Sequence, residues 1–149
     1  MNYLLDTNIL LILLQKSDLS TSIKQQYELL APQARPIISV VSIGEIESLA
    51  IQNKWGVRRR RKLKELLNQF IIADINVRSI IERYAVIDAF SQAKHPLYSS
   101  NFTSRNMGKN DLWIAATASV LDVKLLTADQ DFLHLEDVFV DLELIERKK

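Results

Sequence analysis

Along this chain, short unbroken apolar runs of strand length alternate with stretches whose apolar residues recur at helical spacing. "NYLLD" (Asn2 to Asp6) reads as a short buried strand, followed by an apolar helix over about Asn8 to Leu14. "SIKQQYELL" (Ser22 to Leu30) puts Ile23, Tyr27 and Leu30 on one helical face, which Pro32 and Pro36 close. "PIISVV" (Pro36 to Val41) is β-branched and predicts a second strand. "SIGEIESLAIQNKWG" (Ser42 to Gly56) then predicts a helix with Gly56 as a left-handed cap. A helix over Val57 to Phe70 has its stripe at Leu63, Leu66, Leu67 and Phe70. The strand "IIADI" (Ile71 to Ile75) follows, then a helix with Val77, Ile80, Ile81, Tyr84 and Ile87 inward.

His95 to Lys109 is the one long irregular stretch. After it come an apolar helix over Asp111 to Leu121, the strand "VKLLT" (Val123 to Thr127), a helical turn at "DQDFLHL" (Asp129 to Leu135) and a last strand "VFVDL" (Val138 to Leu142). Five strands alternating with helices predict an α/β fold in three layers, a parallel sheet of about five strands covered on both faces. No repeat or linker divides residues 1–149, so a single domain is expected.

Composition changes this picture little. A chain of 149 residues buries about two thirds of its unfolded surface without a staple. The absence of cysteine excludes disulfides and thiolate metal sites, and suits a reducing cytoplasm, the expected compartment. "ILLILL" (Ile9 to Leu14) is far short of the roughly 20 residues of a membrane span, and without a basic flank or cleavage site no signal peptide is expected.

Charge changes it more. "RRRRKLK" (Arg58 to Lys64) holds six of the 19 basic residues; the other 13 face 18 acidic ones, so the rest of the chain carries −5. The molecule is expected to be a mildly acidic body with one dense cationic patch. Four consecutive arginines near a helix N-terminus oppose the helix dipole, and arginine matches phosphate geometry well. Arg58, Arg59, Arg60 and Arg61 are therefore candidate nucleic-acid phosphate contacts, with a partner-protein surface or a solvated face as the other readings. Arg105 and Lys109 are further candidate phosphate contacts, and Tyr98 and Phe102 candidate stacking residues.

In an open parallel sheet, ligands bind outside the carboxyl ends of the strands. Asp6 closes the first strand, Glu45 lies one turn into the helix after the second, Asp111 opens the helix after the irregular stretch, and Asp129 follows "KLLT". Each also has a capping role open to it: Ser42 to Glu45 is a formal capping box, Asn110 with Asp111 can cap one helix, and Asp129 can cap the next turn. Jointly the four converge on one edge. Two carboxylates about 4 Å apart at an effective dielectric near 20 repel by roughly 4 kcal/mol, so such a cluster sheds charge or takes up a cation. An all-oxygen donor set favours Mg²⁺ or Mn²⁺ over Zn²⁺, and the chemistry that follows is metal-assisted hydrolysis of a phosphate ester.

"LLDTNIL" (Leu4 to Leu10), "SVVSIGEIE" (Ser39 to Glu47), "NDLWIAATA" (Asn110 to Ala118) and "LLTADQDF" (Leu125 to Phe132) resemble the successive motifs of the PIN domain, and within it those of the VapC toxins of bacterial toxin–antitoxin pairs. The resemblance runs from the first residues to about residue 140. It implies a Mg²⁺- or Mn²⁺-dependent endoribonuclease on a five-stranded parallel sheet, leaving a 5′-phosphate, with a cognate antitoxin and a homodimer as partners. Its acidic residues carry over to Asp6, Glu45, Asp111 and Asp129, and its supporting positions to Asn8 and Thr127. Glu47 points to another side of its helix, and Asp131 is either a fifth contributor or an exposed residue of its turn. The apolar first two helices are the expected dimer surface.

Other readings stay beside it. Aspartyl-phosphate phosphatases also begin with a strand and D-x-D, but Asn8 occupies the second acid's place. A PIN nuclease that processes RNA without being a toxin, and a silent PIN-like module that binds a partner, remain open. His95 and His134 are expected to be structural, and Trp55 and Trp113 to lie in the core or a subunit contact.

Overall fold

The computed structural model describes residues 2–146. The elements run β1 (Tyr3–Leu5), α1 (Thr7–Leu13), α2 (Asp18–Gln26), β2 (Ile37–Ser39), α3 (Val40–Gln52), α4 (Val57–Leu67), β3 (Ile71–Ala73), α5 (Arg78–Ser91), α6 (Lys109–Leu121), β4 (Lys124–Thr127), a 3₁₀ helix (Gln130–Leu135) and β5 (Asp141–Leu144). The strands form one sheet in the order β3-β2-β1-β4-β5, and every pairing is parallel.

Each central strand is apolar on both faces, as a sheet covered on both sides demands. Leu4, Ile37 and Leu125 face α5, α6 and the 3₁₀ helix. Their neighbours Leu5, Ile38 and Leu126 face α1, α3 and α4. The period-two alternation of side chains thus divides the core into two layers. In α6 the buried residues Leu112, Ile114, Ala115, Ala116, Thr117 and Ala118 surround the helix, and three of those six are alanine, which lets a helix approach its neighbours closely. Its first turn emerges at Asp111, which is only partly buried.

Several expected boundaries move. The second helix begins at Asp18, where the Ser17 hydroxyl accepts from the Ser20 amide, and it ends by Tyr27. Glu28 then takes φ 51°, which turns Leu29 into the core and leaves Leu30 43% exposed instead of inward. Val40 and Val41 are the first turn of α3, because Ser39 caps it by accepting from the Val41 amide. Gly56 is not left-handed: at φ −74° it is the N-cap of α4, and Lys54 at φ 53° makes the turn. Since α5 starts only at Arg78, Val77 and Ile81 are exposed, and Ile80, Ile87 and Phe90 form its buried stripe. The last strand starts three residues late, at Asp141, after Asp137 adopts φ 62°. The irregular stretch before α6 is as expected, although α6 itself starts at Lys109.

α1 is also used differently. Ile9, Leu10, Ile12 and Leu13 are all buried in the chain's own core, so this helix does not hold its apolar face in reserve for a second copy. The C-terminal ends of α2, α3, α5 and α6 share one device, a left-handed residue at Glu28, Lys54, Ala93 and Asp122. At α3 the Trp55 amide donates to the Ala50 carbonyl and the Lys54 amide to the Ile51 carbonyl, a Schellman motif with a lysine where glycine is usual. A left-handed non-glycine residue costs about 1–2 kcal/mol, and Lys54 is exposed. Lys54→Gly is therefore expected to stabilise the protein by up to about 1 kcal/mol, read as a higher urea midpoint at unchanged slope. A lower midpoint would show that the lysine side chain holds the turn.

Candidate active site

The sheet order reverses between β1 and β4, and there the two strand ends leave a crevice. Asp6 sits at that point as the N-cap of α1, only 3% exposed. Its Oδ1 accepts from the Thr7 amide at 2.8 Å, and its Oδ2 accepts from the Thr127 hydroxyl at 2.7 Å and the Asn8 amide at 3.1 Å. Burial pushes the Asp6 carboxyl up, while the bonds from Thr127 and Thr7 pull it down.

Asn8 and Thr127 each span the crevice. The Asn8 Oδ1 accepts from the Ala128 amide at 3.2 Å, and the Thr127 Oγ1 accepts from the Asp129 amide at 3.0 Å. Together they tie the end of β1 to the chain leaving β4. Asp129 caps the 3₁₀ helix by accepting from the Asp131 amide at 2.9 Å, so capping and a place at the crevice are held by the same residue.

Glu45 arrives from α3. Its Oε1 lies 3.0 Å from the Thr7 hydroxyl, which is also 2.9 Å from the Ser42 hydroxyl. Ser42 is fully buried and faces Thr7 rather than capping its own helix; the cap of α3 is Ser39. The capping box of Ser42 and Glu45 is therefore not formed. Thr7 and Ser42 fix the Glu45 carboxylate, and neither was expected. The sequence carries no signal for this pairing, because Ser42, one turn before Glu45, reads there as a cap of its own helix.

Asp111 completes the group. It lies in the first turn of α6, whose N-cap is Gly108 with no side-chain cap bond, so neither it nor Asn110 is the cap. Burial, and then the charges of Asp6, Asp129, Glu45 and Asp131, push its carboxyl up to about 7. One carboxylate oxygen from each of Asp111, Asp129 and Asp131 lies within 4.8 Å of the others. Asp131, although exposed, thus stands with the cluster. Glu47 is exposed on α3 and is not among the groups that act on Asp111. Among the described residues Asp111, Asp129 and Asp131 are the acids within ligand reach of one another, while Asp6 and Glu45 stand outside that triplet and act on Asp111 through their charge. All five offer oxygen, and their mutual repulsion is what a hard divalent cation would relieve.

The cationic candidates lie elsewhere. Arg58 to Arg61 are exposed in the first turns of α4. The Arg59 guanidinium rests 3.8 Å over the Trp55 ring, and Arg60 Nε donates to the Trp55 carbonyl at 3.1 Å. Among the described residues the ion pairs are Arg78–Glu82 and Lys124–Glu143, so the basic run is not neutralised within the chain. Lys109 is exposed two residues before Asp111. Arg105 is exposed too, and its charge helps to hold the His134 imidazole below its usual range, after burial.

Phe102 is engaged within the molecule, whereas Tyr98 packs on one side and remains 45% exposed. Phe102 packs 5.2 Å from Phe90 and 5.2 Å from His134, and Tyr98 lies 5.0 Å from Phe139. Both pin the stretch before α6. His134 bonds Ser91 at 2.8 Å, and His95 Nδ1 accepts from the Leu97 amide at 3.0 Å, so both histidines serve structure. Trp113 stacks on Tyr84 at 4.2 Å.

The same fold recurs in solved structures. A chain of VapBC2 from Rickettsia felis, bound to a DNA fragment from its promoter, superposes with a TM-score of 0.78 at 24% identity, covering 97% of this chain and 98% of that one. VapBC-1 from nontypeable Haemophilus influenzae gives 0.74 at 23% identity, covering 97% and 98%. FitAcB from Neisseria gonorrhoeae gives 0.66 at 21% identity, covering 95% and 96%. At these identities the likeness is one of fold. No curated protein matches the sequence significantly. The sequence itself matches the PIN domain family model over residues 3–138, a span that takes in all five carboxylates and the strands that bring them together. The chain belongs to the PIN domain family.

Proposed function

We propose that the protein is a Mg²⁺- or Mn²⁺-dependent endoribonuclease and the toxin of a toxin–antitoxin pair. The observation that carries the catalytic part is geometric: Asp111, Asp129 and Asp131 each place a carboxylate oxygen within 4.8 Å of the others, and burial with the charges of the neighbouring acids pushes the Asp111 carboxyl up. PIN family membership supports a nuclease, and the fold shared with chains of VapBC and FitAB complexes supports an antitoxin partner. A homodimer fits the same reading, on a surface other than the buried face of α1.

Asp6, Glu45 and Asp111 would hold the ion, with Asp129 completing the site or positioning the attacking water and Asp131 at its solvent side. When bound, Mg²⁺ or Mn²⁺ supplies an activated water and neutralises charge on the phosphodiester during in-line displacement. Thr127 and Asn8 orient Asp6 through its Oδ2, and Thr7 orients Glu45. With water as the nucleophile and the O3′ oxygen as the leaving group, the cut would leave a 5′-phosphate and a 3′-hydroxyl. Arg58 to Arg61, with Arg105 and Lys109, would contact the RNA backbone.

RNA cleavage should appear with Mg²⁺ or Mn²⁺ and stop with EDTA. Asp6→Asn and Asp111→Asn should each abolish it, while Thr127→Val should cost about 10–100-fold, as orienting partners of metal ligands do. Mutants that cut at the parent rate would overturn the site.

A second measurement needs no substrate. With the folded-state value near 7 and an ordinary value of 3.8, the native state keeps a proton on Asp111 that the unfolded chain has released. The stability from this group is full below about pH 4 and is lost as pH rises through 7. In EDTA, the thermal midpoint of Asp111→Asn minus that of the parent should therefore grow from pH 5 to pH 8, and Mn²⁺ should restore the parent selectively at the upper end. A flat difference would mean that Asp111 is an ordinary surface acid. Separately, replacing Arg58 to Arg61 by glutamine should weaken RNA binding and reduce its salt slope, by about 0.7 for each phosphate that the arginines had neutralised. An unchanged slope would return the run to a solvated face.

A further inference from the structure

A groove of about 510 Å³ opens beside the acidic cluster, between α3 and the start of α6. One wall is a single stripe of α3, Glu45, Ser48, Leu49 and Gln52, at i, i+3, i+4 and i+7. It runs about 10 Å along the helix. The opposite rim is Asn110, next to Asp111. Polar groups and apolar surface alternate inside it: the Gln52 amide donates to the Ser48 hydroxyl at 2.9 Å, while Val41 and Leu49 give two apolar patches. Glu45 belongs both to the groove and to the cluster.

Its floor is Gly44, the fifth residue of a 13-residue helix. Glycine there lowers helix stability relative to alanine, so its presence calls for a reason. Left-handed backbone is not the reason, since no glycine has positive φ. Close packing is not the reason either, because a Cβ on Gly44 would meet nothing within 4 Å. What the missing side chain does is keep the groove open beside Glu45. The far end supplies direction: α3 stops at Gln52, and the chain turns through residues 53–56 into the helix that carries Arg58 to Arg61, which form no ion pair among the described residues.

We propose that this groove is a subsite for single-stranded RNA, seating a nucleotide next to the scissile phosphate and leading the strand along α3 toward the arginine run. This rests on the function proposed above. The chemistry fits a nucleotide rather than a protein side chain. The amides of Gln52 and Asn110 and the Ser48 hydroxyl both donate and accept, as a base edge requires, and the apolar patches offer a surface for a base face. A base must be unpaired to present its Watson–Crick edge here, because in a duplex that edge is taken by its partner and the narrow major groove hides the edge beside it. Gly44 is the gate, and Ser48, Gln52 and Asn110 are the residues that select the nucleotide.

The test measures kcat and KM on a single-stranded RNA oligonucleotide with Mn²⁺, for the parent, Gly44→Ala, Gly44→Leu and the double variant Ser48→Ala/Gln52→Ala, alongside each protein's melting midpoint. The leucine variant should lose about tenfold or more in kcat/KM, mostly through KM, and the alanine variant less, because loss follows the volume put into the groove. Both midpoints should stay at or above the parent's, since each removes a helix glycine. The double variant should raise KM and change the preferred nucleotide beside the cut. Unchanged kcat/KM in Gly44→Leu overturns the subsite while leaving the nuclease intact. A loss that tracks a fallen midpoint rather than side-chain volume also overturns it, as does intact cleavage with a changed sedimentation coefficient, which would make this face a protein contact. A parent that cuts no RNA overturns the function on which the subsite rests.

Discussion

The hydrogen bond from the Thr127 hydroxyl to the Asp6 carboxylate, 2.7 Å long, bridges the crevice at the centre of the sheet. It joins the ends of β1 and β4, the two strands between which the sheet order reverses. A carboxylate as buried as Asp6 is tolerable only when its charge is met by donors, and three donors meet it. The same bonds that keep Asp6 in place also aim it, so the stability of the sheet's centre and the geometry of the acidic cluster are one constraint. Thr127 extends the constraint by accepting from the Asp129 amide, and Asn8 by accepting from the Ala128 amide.

Asp111 has no such provision. No hydrogen bond to its carboxylate is seen among the described residues, and four other acids act on it. The strain of gathering like charges is thus concentrated on one residue. α6 can carry it there because the helix is anchored by the apolar side chains of its middle, Leu112 and Ile114 to Ala118, which are buried whatever the state of its first turn. Stability comes from the body of the helix, and the unstable charge is confined to its tip.

The strands and the acids were legible in the sequence for a common reason. A strand covered on both faces must be apolar throughout, and a polar residue ends it abruptly; Asp6 and Thr127 mark such ends. The helix ends were not legible because the chain holds only three glycines, and none of them takes the left-handed turns. Glu28, Lys54, Ala93 and Asp122 do so instead, held by the Schellman bonds of the turns rather than by their own preference. The stop read at Gly56 therefore fell two residues late. Thr7 and Ser42 were missed for another reason. They pair across 35 residues, and a hydroxyl that looks like a local cap carries no mark of a distant partner. Local chemistry predicted the capping box of Ser42 and Glu45, and tertiary contact overrode it.

The arginine run stands on α4, an element that carries none of the clustered acids, and this placement has a physical logic. An anionic cluster repels a polyanion, so on the proposed function the residues that perform chemistry cannot also supply affinity. The arginine run can, but four cations at the start of α4 work against that helix's dipole. Part of that cost is offset locally: Arg59 lies over Trp55, and Arg60 is held by the Trp55 carbonyl. Lys62, in the same run, is turned the favourable way, donating to the Leu14 carbonyl at the C-terminal end of α1. Arg58 and Arg61 have no such partner among the described residues and remain open to solvent. On the proposed function a phosphate backbone would be their counter-ion, and beyond Glu45 the groove along α3 is lined by neutral side chains.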